Sequence, residues 1–182
     1  MSITQTDYLN NPSQIKKAVT TLVNSIVEDE SKAHATFTTQ SELKDGLLAR
    51  ISSREFEYYA DEPAILGGNN KAPTPVELLL GSLCACQEIV VKAYASALDI
   101  TLKNVTVEAK GELDLRGFLN IEKDVRPGFH TVHFNTVIDT SETDRDKLDL
   151  LLKLAEEQCP VLDVIQNPVK INGSIAFANS NN

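Results

Sequence analysis

Three cysteines carry the most reactive side chains of this 182-residue chain. Cys84 and Cys86 lie in a strongly apolar segment between residues 74 and 87, and Cys159 is followed directly by Pro160. A thiolate can attack a peroxide, and a second thiol can then close a disulfide with the oxidised sulfur. A free cysteine can equally be a small buried hydrophobe. At this level Cys86 and Cys159 are either packing residues or a reactive pair.

The spacing of the cysteines and histidines argues against a metal centre. Cys84 and Cys86 are separated by a single residue, and no histidine lies at zinc-ligand spacing from them. His130 and His133 are three residues apart on a predicted strand and therefore point to opposite faces of it. We expect no metal cofactor.

Charge and composition exclude further classes of function. The formal net charge is -9, which argues against nucleic acid or an anionic membrane as a partner, because both select clustered Lys and Arg. Hydrophobic residues make up 42% of the chain, enough for one domain with a core. No apolar run has transmembrane length and no signal-like segment opens the chain. We expect a cytoplasmic protein with free thiols, since structural disulfides are rare in reducing compartments.

Periodicity and turn signals predict the elements that position these residues. Asn11 is a predicted N-cap with Pro12 at the first helical position, and apolar residues recur at helical spacing as far as Val27. Strands are predicted at 35–43, 47–60, 101–113, 129–138 and 169–177, with a hairpin turn at 44–46. Helices are predicted at 75–98, at 142–158 and after Cys159-Pro160. The order predicts an α+β domain of antiparallel sheet with helices packed on it.

The same signals divide the chain. Residues 1–33 are predicted to be an amphipathic helical extension, 34–178 the main domain and 179–182 a disordered tail. Ser141 is the predicted N-cap of the 142–158 helix. The predicted apolar face of that helix consists of Leu148, Leu151, Leu152 and Ala155.

Projection of the long helix at 100° per residue places its two thiols on different faces. The polar stripe is predicted to contain Glu77, Gly81, Glu88 and Lys92, with Cys84 beside it. The apolar face is predicted to contain Leu79, Leu83, Cys86, Val90, Ala93 and Ala97. Cys84 and Cys86 therefore cannot form a disulfide within an intact helix. Acidic neighbours at Glu77 and Glu88 would disfavour a Cys84 thiolate, so we interpret Cys84 as structural.

The two remaining thiols differ in what would activate them. A buried Cys86 is inert unless a cation or a hydrogen-bond donor stabilises its thiolate, and the helix that carries it supplies no such cation. Cys159 precedes a proline at a predicted helix start, where free backbone N–H groups and the helix dipole would stabilise a thiolate. Cys159 can equally be a simple cap of that turn.

Several motifs in a fixed order carry a family resemblance. They are Asp61-Glu62-Pro63, Leu66-Gly67-Gly68, the segment from Pro73 to Cys86, Arg126-Pro127-Gly128-Phe129 and Cys159-Pro160-Val161-x-Asp163. On these motifs roughly residues 35–178 resemble the OsmC/Ohr family, the osmotically inducible protein C and organic hydroperoxide resistance proteins. The resemblance implies a curved antiparallel sheet packed around long central helices in an intertwined homodimer, with the sites at the dimer interface.

The resemblance also implies a reaction and a role for each thiol. Cys86 matches the peroxidatic cysteine and Cys159 the resolving cysteine. The implied activity is the reduction of organic hydroperoxides in oxidative-stress defence, with an external dithiol as reductant and no metal or flavin. The apolar surroundings of Cys86 would suit fatty or aromatic hydroperoxides.

The chain departs from the family pattern at the groups that activate the thiol. Val76 stands where the family has a glutamate, and the nearest acid is Glu77, which is rotated by about 100° on the helix. The activating arginine of the family lies at the first hairpin turn, where this chain has Lys44-Asp45-Gly46. Arg54 is the predicted substitute, ahead of Arg50. Arg54 and Glu77 complete the set of candidate catalytic residues, and Arg54 can also be a solvated charge at a strand edge.

Three functions stay open at this level. The first is the thiol-dependent hydroperoxide reductase described above. The second is a non-catalytic protein of the same fold that binds a hydrophobic small molecule or senses redox state at the dimer interface, which Val76 favours. The third is a purely structural interaction module.

Overall fold

The computed structural model describes residues 12–177, so the predicted N-cap Asn11 and the predicted tail 179–182 lie outside the described residues. The α-helices are α1 (Pro12–Glu28), α2 (Pro75–Ala97), α3 (Leu115–Phe118), α4 (Arg145–Glu157) and α5 (Pro160–Gln166). The strands are β1 (Gln40–Leu43), β2 (Ala49–Ser53), β3 (Phe56–Ala60), β4 (Leu102–Glu112) and β5 (Thr131–Thr140). Short 3₁₀ turns lie at Glu30–Ala33 and Ala64–Leu66. The predicted α+β class with antiparallel pairing is confirmed.

The first sheet consists of β1, β2 and β3 in chain order, all antiparallel. The predicted hairpin at 44–46 is confirmed, with Gly46 at a φ of 59° that favours glycine. The prediction of one return strand over 47–60 is wrong. That segment forms two strands, because Arg54 adopts a left-handed φ of 55° and turns the chain between them. The guanidinium of Arg54 lies 5.0 Å from the centre of the Phe56 ring.

A buried carboxylate organises the loop that leads from β3 into α2. Asp61 is 1% exposed, and its carboxylate accepts hydrogen bonds from the backbone N–H groups of Glu62, Asn69 and Lys71. These bonds, that from Lys71 above all, hold the pKa of Asp61 below its ordinary value. At Gly68 a Cβ atom would lie 1.8 Å from the carbonyl oxygen of Glu62, so only glycine fits there.

Helix α2 begins with a capping box. Thr74 Oγ1 accepts a hydrogen bond from the Glu77 N–H at 3.3 Å, and the Glu77 carboxylate accepts the Thr74 N–H at 2.7 Å. Pro75 fills the first helical position, where no intrahelical N–H bond is lost. The predicted helix is confirmed to within one residue at its C-terminal end.

The buried face of α2 differs in part from the predicted one. Its buried residues are Leu83, Gln87, Val90, Val91, Ala95 and Ser96. Leu83 and Val90 are confirmed, whereas the prediction was wrong for Leu79, which is 42% exposed, and for Ala97, which is also exposed. The buried stripe passes through a glutamine that hydropathy alone assigns to the surface.

Strands β4 and β5 form a second antiparallel sheet against which α2 packs. One core cluster joins α2 to this sheet and to α4, and its buried members are Val91, Ala95, Ile100, Leu102, Leu151 and Ala155. A second, which we call the thiol cluster, consists of Leu83, Val90, Cys159 and Leu162 with Cys86 packed against it. Helix α2 is thus the element that both clusters share.

Helix α4 begins later than predicted. Asp144, and not Ser141, is its N-cap, with the Asp144 carboxylate accepting the N–H groups of Asp146 and Lys147. The Glu142 side chain folds back and accepts the N–H groups of residues 143 and 144, so it is outside the helix. Leu151 and Ala155 are buried as predicted, whereas Leu152 is 56% exposed.

The predicted final strand over 169–177 is wrong within this chain. Residues 168–177 form neither helix nor strand. Their large apolar side chains are exposed, from 52% for Val169 to 98% for Ile175.

At the other end of the described chain, α1 packs on α2, and Lys16 Nζ lies 2.6 Å from Asp99 Oδ1. None of the helices within 12–177 combines the length and apolar character needed to cross a bilayer.

Candidate active site

The fold brings Cys86 and Cys159 together from distant parts of the chain. Both belong to the thiol cluster, in which Cys159 is 1% exposed and Cys86 is half-buried. The two thiols lie within hydrogen-bonding reach of each other. Both are free thiols in this structure. Two thiols this close are placed to form a disulfide once one of them is oxidised.

Two helices hold this pair. Helix α2 presents Cys86 next to Leu83, and the predicted position of Cys86 on a packed face is borne out. Cys159 is the N-cap of α5, with extended backbone angles and Pro160 at the first helical position, as predicted. Leu162 of α5 and Leu83 of α2 are both buried in the thiol cluster, so apolar packing between the two helices sets the position of the sulfur atoms.

Burial raises the pKa of the Cys86 thiol, and the neighbouring Cys159 raises it further. One group opposes this rise. The backbone N–H of Val161 hydrogen-bonds to the Cys86 sulfur and lowers the pKa. Val161 lies in the first turn of α5, where backbone N–H groups have no partner within the helix.

Sequence reasoning missed this role of Val161. It allowed for a hydrogen-bond donor at Cys86 but named only cations as candidates, whereas the donor that the structure supplies is a backbone N–H. Pro160 was the sequence signal for this donor, because a proline at the first helical position indicates that the residues after it have backbone N–H groups without partners in the helix. The helix start that was predicted to favour a Cys159 thiolate also faces Cys86.

The predicted activating residues lie elsewhere in the described chain. Arg54 is at the β2–β3 turn, stacked on Phe56, and is not among the groups that shift the pKa of Cys86. Arg50 lies near the carboxylates of Glu42 and Glu57, at 3.4 and 3.5 Å. The roles predicted for Arg54 stay predictions.

Glu77 and Val76 stand at the start of α2. The Glu77 carboxylate accepts hydrogen bonds from the N–H and the hydroxyl of Thr74, which lower its pKa. Val76 is 38% exposed. The structure therefore gives Glu77 a helix-capping role, and its part in catalysis stays a prediction.

Cys84 lies on the other flank of α2, against β4. Burial raises its pKa, and the carboxylates of Glu88 and Glu108 raise it further. The predicted influence of Glu88 is confirmed, whereas Glu77 is not among the groups that act on this thiol. Within residues 12–177 no three or more His, Cys, Asp or Glu side chains group as metal ligands would.

A family model described as "OsmC-like protein" matches residues 68–174 of the chain. The match spans the start of α2, both cysteines of the thiol pair and both strands of the second sheet. The chain belongs to the OsmC family. The resemblance inferred from the motifs is thereby confirmed, although the family model begins after the first sheet.

Solved structures of OsmC proteins share this fold. An OsmC-like protein of Mycoplasma pneumoniae matches at 17% identity and a TM-score of 0.62, with 74% of this chain and 89% of that chain covered. An organic hydroperoxide resistance protein of Elizabethkingia anophelis matches at 20% identity and 0.54, covering 74% and 91%. The organic hydroperoxide resistance protein OsmC of Legionella pneumophila matches at 20% and 0.53, covering 72% and 90%. At these identities the likeness concerns the fold. No curated protein matches the chain.

Proposed function

We propose that this OsmC protein is a thiol-dependent reductase of organic hydroperoxides, with Cys86 as the peroxidatic and Cys159 as the resolving cysteine. The observation that carries the proposal is the contact between the two thiols in the thiol cluster, with the Val161 N–H bonded to Cys86. Family membership and the names of the hydroperoxide resistance proteins that share the fold support it.

The proposed cycle has three steps. The Cys86 thiolate attacks the distal oxygen of the hydroperoxide, the O–O bond breaks, and the leaving alkoxide takes a proton and departs as an alcohol. Cys86 is then a sulfenic acid, which the Cys159 thiolate attacks, forming the disulfide and releasing water. An external dithiol reduces this disulfide by exchange and is itself oxidised to a disulfide.

Activation of Cys86 is the step that needs most from the protein. Burial raises the pKa of this thiol, and the hydrogen bond from the Val161 N–H offsets only part of that rise. We retain Arg54 as the proposed activating cation. Its guanidinium contacts only a ring among the described interactions, whereas Arg50 already has carboxylate neighbours.

We further propose that the protein acts as a homodimer. Large apolar side chains are exposed on α2 at Val76, Leu79 and Ile89, and along residues 169–177. The first sheet has little contact with the helices of its own chain. A second copy would cover these surfaces, since exposed apolar patches of this kind mark interaction sites. The cytoplasmic location stays a prediction.

The test is consumption of cumene hydroperoxide with a dithiol reductant. The wild type should turn over, and Cys86→Ser should lose activity by at least about 100-fold, because the nucleophile is gone. Arg54→Gln should slow the reaction, with Arg50→Gln as the matched control. Equal rates for the wild type and Cys86→Ser would overturn the proposal.

The raised pKa of Cys86 favours a second candidate, a redox sensor or small-molecule binder without turnover. In that case one equivalent of peroxide would form the Cys86–Cys159 disulfide slowly, and dithiol would not sustain consumption. Single-turnover and steady-state measurements on the same sample therefore separate the two functions.

A further inference from the structure

Two buried side-chain atoms, Gln87 Nε2 on α2 and Thr136 Oγ1 on β5, have no hydrogen-bond partner among the described residues. Gln87 is 2% exposed. It lies one turn after Leu83 of the thiol cluster and one turn before Val91 of the other core cluster. Buried polar atoms in folded proteins are nearly always hydrogen-bonded, to an ordered water where no protein group is in reach. Each of these two atoms therefore requires a partner that the described side chains do not supply.

Gln87 lies on the side of α2 that covers the second sheet. At 100° per residue it is about 60° from Cys84 and about 100° from Cys86 around the helix axis, within the shorter arc between them. Cys84 is influenced by groups of β4 on one flank, and Cys86 by a group of α5 on the other. The arc between these two flanks is the buried one, because α2 packs on β4 and on α5.

Thr136 lies on the face of β5 that is turned toward the helices. Val132 packs against the thiol cluster and Ile138 against the other core cluster. Because side chains alternate along a strand, Val132, Thr136 and Ile138 belong to one face. Thr136 therefore lies between the two clusters on the sheet, as Gln87 does on α2. The two polar side chains occupy the same level of the core on facing layers.

We propose that Gln87 and Thr136 bind one internal water molecule between α2 and β5, and that this water fixes the rotation of α2 about its axis. The Gln87 amide donates to the water, and the Thr136 hydroxyl donates or accepts. Hydrogen bonds are directional, whereas apolar packing is not. Because Gln87 and Cys86 are consecutive on one helix, the rotation that directs the amide at the sheet also directs Cys86 at α5. Gln87 is thus a positioning residue for the thiol, and neither statement depends on the proposed function.

The water site is tested by high-resolution crystal structures of the wild type, Thr136→Ser and Thr136→Val. In the wild type a water should lie within about 3.2 Å of both Gln87 Nε2 and Thr136 Oγ1. Thr136→Ser keeps the hydroxyl and should keep the water, whereas Thr136→Val has the same shape without the hydroxyl and should lose it. A wild type without this water, or with a direct hydrogen bond between the two side chains, would overturn the proposal. Retention of the water in Thr136→Val would do the same.

The positioning role is tested by the pH profile of Cys86 alkylation in the same two variants. Thr136→Val should shift the profile to higher pH and slow alkylation at pH 8 at least about threefold relative to Thr136→Ser, because a rotated α2 weakens the hydrogen bond from the Val161 N–H.

A mere loss of stability would have the opposite sign, since local opening exposes the thiol and speeds its alkylation. Equal profiles in the two variants would refute the positioning role. Failure of the wild type to reduce hydroperoxides would refute the proposed function and leave the results of both tests unchanged.

Discussion

Cys84 and Cys86 are two residues apart on α2, yet the two flanks of this helix surround them differently. Both thiols are half-buried, and burial raises the pKa of each. On the α5 flank, Cys86 meets a second thiol and a backbone N–H donor. On the β4 flank, Cys84 also meets a backbone N–H donor, that of Ala109, but it faces the carboxylates of Glu88 and Glu108, which raise its pKa. Burial alone therefore does not distinguish the two thiols, whereas the charged groups and the second thiol that face each sulfur do.

The largest expected difference concerns disulfide formation. One equivalent of cumene hydroperoxide should link Cys86 to Cys159 in the wild type and equally in Cys84→Ser. Cys159→Ser should form no disulfide and should accumulate a sulfenic acid on Cys86, because the resolving thiol is missing. Mass spectrometry after alkylation of the remaining thiols reads out each species. A Cys84–Cys86 bridge in the wild type would break the comparison.

Removal of the Val161 N–H should have the next largest effect. Replacement of Val161 by its α-hydroxy acid exchanges the amide for an ester and keeps the side chain. Loss of a hydrogen bond to a charged group costs about 1.5–3 kcal/mol, so the Cys86 thiolate population at a fixed pH should fall about tenfold or more. The rate of alkylation of Cys86 at pH 8 measures this thiolate population. The control is the protein with valine inserted at position 161 by the same method.

An unchanged Cys86 rate in the ester variant would show that the N–H bond does not stabilise the thiolate. In the unmodified protein, alkylation of both thiols should keep rising with pH beyond the usual cysteine range. The sign follows from their raised pKa values, which make each thiolate scarce at neutral pH.

A smaller effect is expected on the β4 flank. Glu88→Gln removes the carboxylate with the larger influence on Cys84, so the pKa of Cys84 should fall and its alkylation should accelerate a few-fold. Glu108→Gln should have a weaker effect in the same direction. Cys86 serves as the internal control, because neither carboxylate is among the groups that shift its pKa. Parallel acceleration of both thiols would mean that the two flanks are not independent.

The smallest effect on the thiols is expected from the helix cap. Thr74→Ala removes the N-cap hydrogen bond and should lower the free energy of unfolding by about 1 kcal/mol. The ratio of Cys84 to Cys86 alkylation rates should stay constant, because the cap lies more than two turns from both sulfur atoms. Denaturant unfolding and the alkylation ratio are measured on the same preparation. A changed ratio would indicate that the cap positions the thiols.

Sequence reasoning succeeded where local rules decide the structure. The predicted start of the long helix at residue 75 is that of α2, and the 100° projection separated Cys84 from Cys86. Pro160 likewise placed Cys159 at a helix N-cap. The contact between Cys86 and Cys159 came from the family resemblance, since a separation along the chain carries no information about distance in space.

Sequence reasoning failed where tertiary packing or a single backbone angle decides the local structure. The left-handed φ of Arg54 divides a continuous β-prone run into two strands. Gln87 is 2% exposed within the apolar stripe, because the helix is oriented by its packing on the second sheet and not by its own hydropathy. Residues 169–177 have strand-like alternation but form no strand, since a strand needs a neighbour to pair with.

The position of Arg126 on a connection, and not on α2 or α5, has an evolutionary consequence. The sulfur atoms are held by two helices, whereas Arg126, which lines a pocket together with Leu79 of α2 and Ile165 of α5, is carried by the β4–β5 connection. Connections tolerate changes in sequence better than packed helices. The lining of this pocket can therefore change in descendants of this protein without an intermediate that has lost its thiol pair.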